Sequence, residues 1–271
     1  MSLRAFVVAA DDGSEIVCTA HETDGASRST IVIAPNGPQP RSGPFRSMTR
    51  LADLLCRAGH RVVRADLRGF GEAGADVPDA TSHEHEHSIE QGLHVDDLLA
   101  LVAALDDDRP LVLFGSCGGA VTAVRAAARE PRVQAVIGYA LPVVLTGGRG
   151  AELAGRRGPA RGLALARLAL GESILRGSRG RLLPGELAPW LNHRAVRALR
   201  GLAGERPVLL LSGSDDDVQA QLARYRLDRL AGVDIDELPG IGPHFDDPDD
   251  VERVAAAIVT WLRRRDLAEE G

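Results

Sequence analysis

The chain has 271 residues, a formal net charge of −6 and 32 basic residues, every one of them arginine. That length suits one large domain with room for an insertion. Three cysteines, Cys18, Cys56 and Cys117, are too few and too scattered for a disulfide framework or a zinc site. A single reactive thiol in a reducing compartment fits them better. An acidic chain without a reader motif argues against nucleic acid as a partner. The sequence contains no apolar run of signal-peptide or membrane-span length, so a soluble, cytoplasmic protein is expected.

Two apolar runs, 5–10 and 15–20, flank Asp11-Asp12-Gly13-Ser14 and read as a hairpin. Residues 30–35 form a buried strand that ends at Asn36-Gly37-Pro38-Gln39-Pro40. Met48, Leu51, Leu54 and Leu55 give 47–58 helical periodicity, and Gly59 stops it. A strand over 60–65 runs into Asp66-Leu67-Arg68-Gly69-Phe70-Gly71, and 88–105 is mostly helical. Strands follow at 111–114, 133–140, 207–212 and 233–238, and an amphipathic helix over 251–265 closes the chain. Strands alternating with helices imply an α/β fold with a mostly parallel sheet, eight-stranded on this count. Residues 141–204 break the rhythm: helical fragments at 161–175 and 192–202 lie among Gly and Pro, with no strand-like run. The expected organisation is a core of 1–140 and 205–271 carrying a helical cap insertion over 141–204.

The centre of the chain is Leu111-Val112-Leu113-Phe114-Gly115-Ser116-Cys117-Gly118-Gly119-Ala120. An apolar strand, a Gly-x-Cys-x-Gly turn and an Ala-rich helix are the context of a nucleophile elbow, with cysteine where serine is usual. The turn strains its central residue, and Gly115 and Gly119 avoid the clashes that follow. Centring the turn on Ser116 would put Phe114 in a crowded position. The competing reading is a Gly-rich turn holding a buried structural cysteine.

The elbow, the end of the 30–35 strand, the 66–71 segment, Gly213-Ser214-Asp215-Asp216 and Gly242-Pro243-His244-Phe245 together resemble the α/β-hydrolase fold superfamily, in its order of nucleophile, acid and histidine. The loop from Asn36 to Arg46, with the cysteine elbow, is similar to that of exosortase-A-associated hydrolases. The resemblance implies a Cys117–His244–Asp216 triad. Asp215 and Asp217 flank the acid and leave its register open by one residue.

A thiol needs a base nearby, and the base needs an orienting acid. An imidazolium partner and the start of a helix would both lower the thiol pKa, which leads to the expectation of a thiolate near neutral pH. Gly118 N–H is the expected first oxyanion donor. The usual second donor would fall at Pro38, which has no N–H, so Gln39 is the expected substitute through its N–H or side-chain amide.

His83-Glu84-His85-Glu86-His87 looks like a metal tract, but a polar solvated loop is expected there and no metal site. Asp66 and Arg68 are expected to tie loops together. No cofactor is called for. The activity expected is hydrolysis of an ester or thioester through an acyl-cysteine. The alternatives are an acyltransferase or cyclase using the same intermediate, and a catalytically inert binding protein. The substrate is a small acyl ester or thioester, free or linked to coenzyme A or a carrier protein. From Arg149 to Arg200, 11 arginines face three glutamates, a formal +8 that leaves −14 on the remainder. A solvated basic face is one reading of this asymmetry, and steering of an anionic substrate is the other.

Overall fold

The computed structural model describes residues 1–73, 82–144, 191–214, 218–242 and 244–265. Eight strands form one sheet in the order β1-β2-β4-β3-β5-β6-β7-β8. They are β1 (Ser2–Ala9), β2 (Glu15–Glu22), β3 (Thr30–Ala34), β4 (Arg61–Asp66), β5 (Leu111–Ser116), β6 (Val133–Tyr139), β7 (Val208–Gly213) and β8 (Val233–Leu238). The β1–β2 and β2–β4 pairs are antiparallel, and every other neighbouring pair is parallel. β3, β4, β5 and β7 are buried along their whole length. That is why β3, β5 and β7 read as largely continuous apolar runs rather than alternating ones, whereas β4 also buries Arg61, Arg64 and Asp66.

Seven α-helices occur among the described residues: α1 (Ser47–Arg57), α2 (Ser82–Glu90), α3 (Val95–Ala104), α4 (Gly118–Ala127), α5 (His193–Leu202), α6 (Val218–Arg224) and α7 (Pro248–Arg264). α7 begins three residues before the sequence pattern predicts. Asp247 caps it by accepting from Asp249 N–H, and Pro248 sits in the first turn, where its missing N–H costs nothing. Among the described residues no helix is long and apolar enough to cross a membrane.

Two expectations change. The helix predicted over 88–105 is two helices, α2 and α3, separated by a turn in which Gly92 has φ 93°. The His83–His87 tract is not a loop, because it lies within α2. A helix turns about 100° per residue, so three alternate positions cannot all share one face. His85 is 7% exposed and meets the Phe70 ring edge-on at 4.6 Å.

Within the segment expected as an insertion, Val144 and Leu191 pair in an isolated antiparallel bridge. Its fragment at 192–202 is α5, capped by the Asn192 side chain, with Ala195, Val196, Leu199 and Leu202 in the main core. The fragment at 161–175 lies outside the described residues.

Candidate active site

β5 delivers the chain into the turn at Cys117, whose backbone has φ 51° and ψ −121°. Non-glycine residues rarely take positive φ, and holding one there costs on the order of 1–3 kcal/mol. The surroundings over-determine it. Cys117 N–H donates to Tyr139 O at 2.9 Å, and the Cys117 carbonyl accepts from Ala120 N–H at 2.9 Å. A Cβ at Gly115 would run into the Gly119 carbonyl, and one at Gly119 would run into the carbonyls of Ala34 and Pro35. Both flanking glycines are therefore required by backbone approach. Ser116 is fully buried and its Oγ has no partner among the described residues, so Cys117 is the residue the turn presents.

Cys117 is half-buried, and its thiol is pushed up to about 11. Burial is the largest cause; Gly118 N–H, which hydrogen-bonds to the sulfur, pulls the other way, and Glu90 and Glu86 add to the rise. The expected thiolate is thus not what this environment favours: desolvation and two carboxylates outweigh the helix start. Glu90 is 1% exposed at the end of α2. The neighbouring Ile89 packs against the turn, its methyl 2.8 Å from where a Gly118 Cβ would lie. The other two cysteines are buried, and burial pushes Cys18 up to about 12.

His244 lies in the loop after β8 and is exposed. Two neighbours anchor that loop. Ile241 is fully buried, its carbonyl packed against Gly213 at the end of β7, where a Cβ would collide with it. Phe245 is 2% exposed and meets the Tyr139 ring edge-on at 4.6 Å. Tyr139 also donates its hydroxyl to Gly242 O at 2.6 Å. Sequence reasoning missed this tyrosine, and an apolar strand end gives no signal for it. Asp215, Asp216 and Asp217, the candidate acids, lie outside the described residues.

The loop after β3 reaches the elbow. Gly37 has φ 53°, and its Cα is 3.6 Å from the position a Gly118 Cβ would take. Pro38 is exposed, and Gln39 is half-buried with its N–H donating to Gly37 O at 2.9 Å. That bond occupies the Gln39 backbone donor.

Asp66 and Arg68 tie loops together. Fully buried Asp66 receives Arg41 and, at 3.0 Å, the Glu72 N–H. Arg68 donates to buried Asp97 and to Asp12. Among the described residues no cluster of three or more His, Cys, Asp or Glu could hold a metal ion.

A sequence model of the alpha/beta hydrolase family matches residues 31–254. No curated protein sequence matches the chain. The structure is similar to a proline iminopeptidase from Mycobacterium smegmatis, with 19% identity, 98% of this chain and 100% of that one covered and a TM-score of 0.65. It is similar to an esterase from Pyrococcus furiosus at 15% identity, covering 97% and 91%, TM-score 0.65. A dienelactone hydrolase from Anabaena variabilis matches at 19% identity, covering 97% of each chain, TM-score 0.62. At these identities the likeness shows the fold.

Proposed function

The chain belongs to the alpha/beta hydrolase family, and on that premise we propose that it hydrolyses an ester or thioester through an acyl intermediate on Cys117. One observation carries this reading. Cys117 occupies the strained turn between β5 and α4, with Gly118 N–H on its sulfur. Strain of this kind persists where geometry serves function.

A thiol near 11 is almost wholly protonated at neutral pH, so attack needs a base in the same step. His244 takes the thiol proton as sulfur bonds to the carbonyl carbon, and the carbonyl electron pair moves onto oxygen. Gly118 N–H and the Gln39 amide receive that oxyanion. Its collapse expels the alkoxide or thiolate, which leaves with the proton from His244. Water, deprotonated by His244, then attacks the acyl-cysteine and restores the thiol with release of the acid. Asp216 orients the imidazole, with Asp215 and Asp217 as the neighbouring registers. The loop Asn36 to Arg46 and the cysteine elbow support grouping the chain with the exosortase-A-associated hydrolases.

The test is thioester turnover in single variants. Cys117→Ala and His244→Ala should each abolish it, and Asp216→Asn should lower kcat most among the three aspartates. Full turnover in His244→Ala would remove the histidine from the mechanism.

A further inference from the structure

α4 and α5 lie side by side with their apolar faces in the core. Their outer faces diverge around a groove of about 490 Å³. Helical spacing sets its lining. Arg125 lies in the last turn of α4 and Arg129 just past its C-terminal end, and Arg194 and Arg197 are one turn apart on α5. Arg206 follows α5, and Glu205 is the one acidic residue among the lining. Small residues, Ala128, Ala198 and Gly201, leave the space between them open.

The partners of these arginines hold them without neutralising them. Arg125 and Arg194 both donate to the Gln91 carbonyl, the second at 3.3 Å. Arg206 donates to the carbonyls of Ala127 at 2.5 Å and Glu130 at 2.8 Å. A carbonyl fixes a guanidinium but brings no net charge. Among the described residues only Arg129 of the five has a carboxylate partner, Asp96 at 2.6 Å, and Arg197 has no partner. Five guanidinium groups therefore share a groove lined by one carboxylate, Glu205, while Asp96 meets Arg129 from outside the lining. The protonated state of Arg125 is disfavoured, first by burial and then by the charges of Arg194 and Arg129.

We propose that the groove between α4 and α5 is a binding site for a phosphate-bearing small molecule. Fixed guanidinium forks match phosphate oxygens two at a time, and pre-set side chains lose little freedom when an anion arrives. The volume suits an organic phosphate rather than a single small ion. Such phosphates have two sources: a free organic phosphate, or the coenzyme A moiety of an acyl thioester. The second source rests on the acyl-cysteine reading, whereas the site itself does not.

Calorimetric titration of the full chain with inorganic pyrophosphate, and separately with coenzyme A, tests the site without any turnover. The result expected is saturable binding that weakens at least tenfold in Arg194→Ala/Arg197→Ala. Both arginines are exposed, so the fold should tolerate their loss. Gly201→Tyr should weaken binding similarly at unchanged charge, since a Cβ at Gly201 meets nothing within 4 Å. Coenzyme A binding far more tightly than pyrophosphate, with both competing for one site, would identify the thioester carrier. Equal affinities would identify a free phosphate ligand, and both results support the site. Absence of saturable pyrophosphate binding, or affinity unchanged in both variants, would overturn it.

Discussion

The Tyr139 carbonyl accepts the Cys117 N–H at 2.9 Å, while the Tyr139 hydroxyl donates to Gly242 O at 2.6 Å, two residues before His244. One residue at the end of β6 thus fixes the candidate nucleophile's backbone through its carbonyl, and the loop that carries the candidate base through its side chain. Tyr139→Phe removes the hydroxyl contact and leaves the ring against Phe245 and the backbone bond intact. Gly242 is half-buried, so losing the donor to its carbonyl costs at most about 1 kcal/mol. The variant should lose stability of that size and turn over more slowly, while iodoacetamide still alkylates Cys117 at the wild-type rate. Unchanged turnover would show that the Gly242 contact does not position the base.

The elbow should resist one methyl group. Gly119→Ala drives a Cβ into the carbonyl of Pro35, and neither backbone can yield cheaply. The expected loss is about 3 kcal/mol or more by chemical denaturation. Gly240→Ala is the control: a Cβ there meets nothing within 4 Å, so the variant bears only the strain of φ 72°. Equal stabilities for the two variants would contradict the close approach of α4 to the end of β3.

The thiol reports on α2. Glu90 and Glu86 both raise the Cys117 pKa, Glu90 the more strongly. Glu90→Gln should therefore speed alkylation of Cys117 at pH 7 several-fold, and Glu86→Gln should do so less. In wild type the rate should rise about tenfold per pH unit between pH 7 and 10. A plateau below pH 8 would mean that the sulfur is already ionised. Cys18 and Cys56, both buried, should label last in every variant.

The architecture was legible because the central strands are compact apolar runs, β8 alternates apolar with acidic residues, and the turns carry their own punctuation. All eight predicted strands stand in the sheet. Gly115 and Gly119 announced the elbow, since only a backbone collision demands glycine at both places. What local pattern could not show is how separate elements meet. Glu90 reads as an ordinary helix residue, and only the packing of α2 against α4 sets its charge near a thiol. The histidine tract misled for the same reason, because polar composition suggested a loop where Phe70 supplies a packing surface for His85. Arg125 and Arg194 each sit on a recognisable helix, but nothing in the sequence places both on the Gln91 carbonyl.

Two buried histidines predict acid lability. Burial holds both His60 and His94 down at about 4, with the Arg28 and Arg263 charges adding to the fall at His60. Their folded values lie below the unfolded value near 6.5, so the unfolded chain binds more protons between those limits. The stabilisation they contribute is present above pH 6.5 and is lost as pH falls towards 4, by up to about 3 kcal/mol each. Urea midpoints should drop across that window, and His94→Asn should flatten the slope. A midpoint constant from pH 6.5 to 4 would contradict the buried neutral imidazoles.

The most direct test is to trap the acyl group. The enzyme is mixed with a short acyl thioester, quenched in acid within the first turnovers and measured by intact mass, and the adduct is located by peptide mapping. The account predicts one acyl group on Cys117, and neither adduct nor turnover in Cys117→Ala. Turnover persisting in Cys117→Ala, or an acyl group mapped to any other residue, would contradict it.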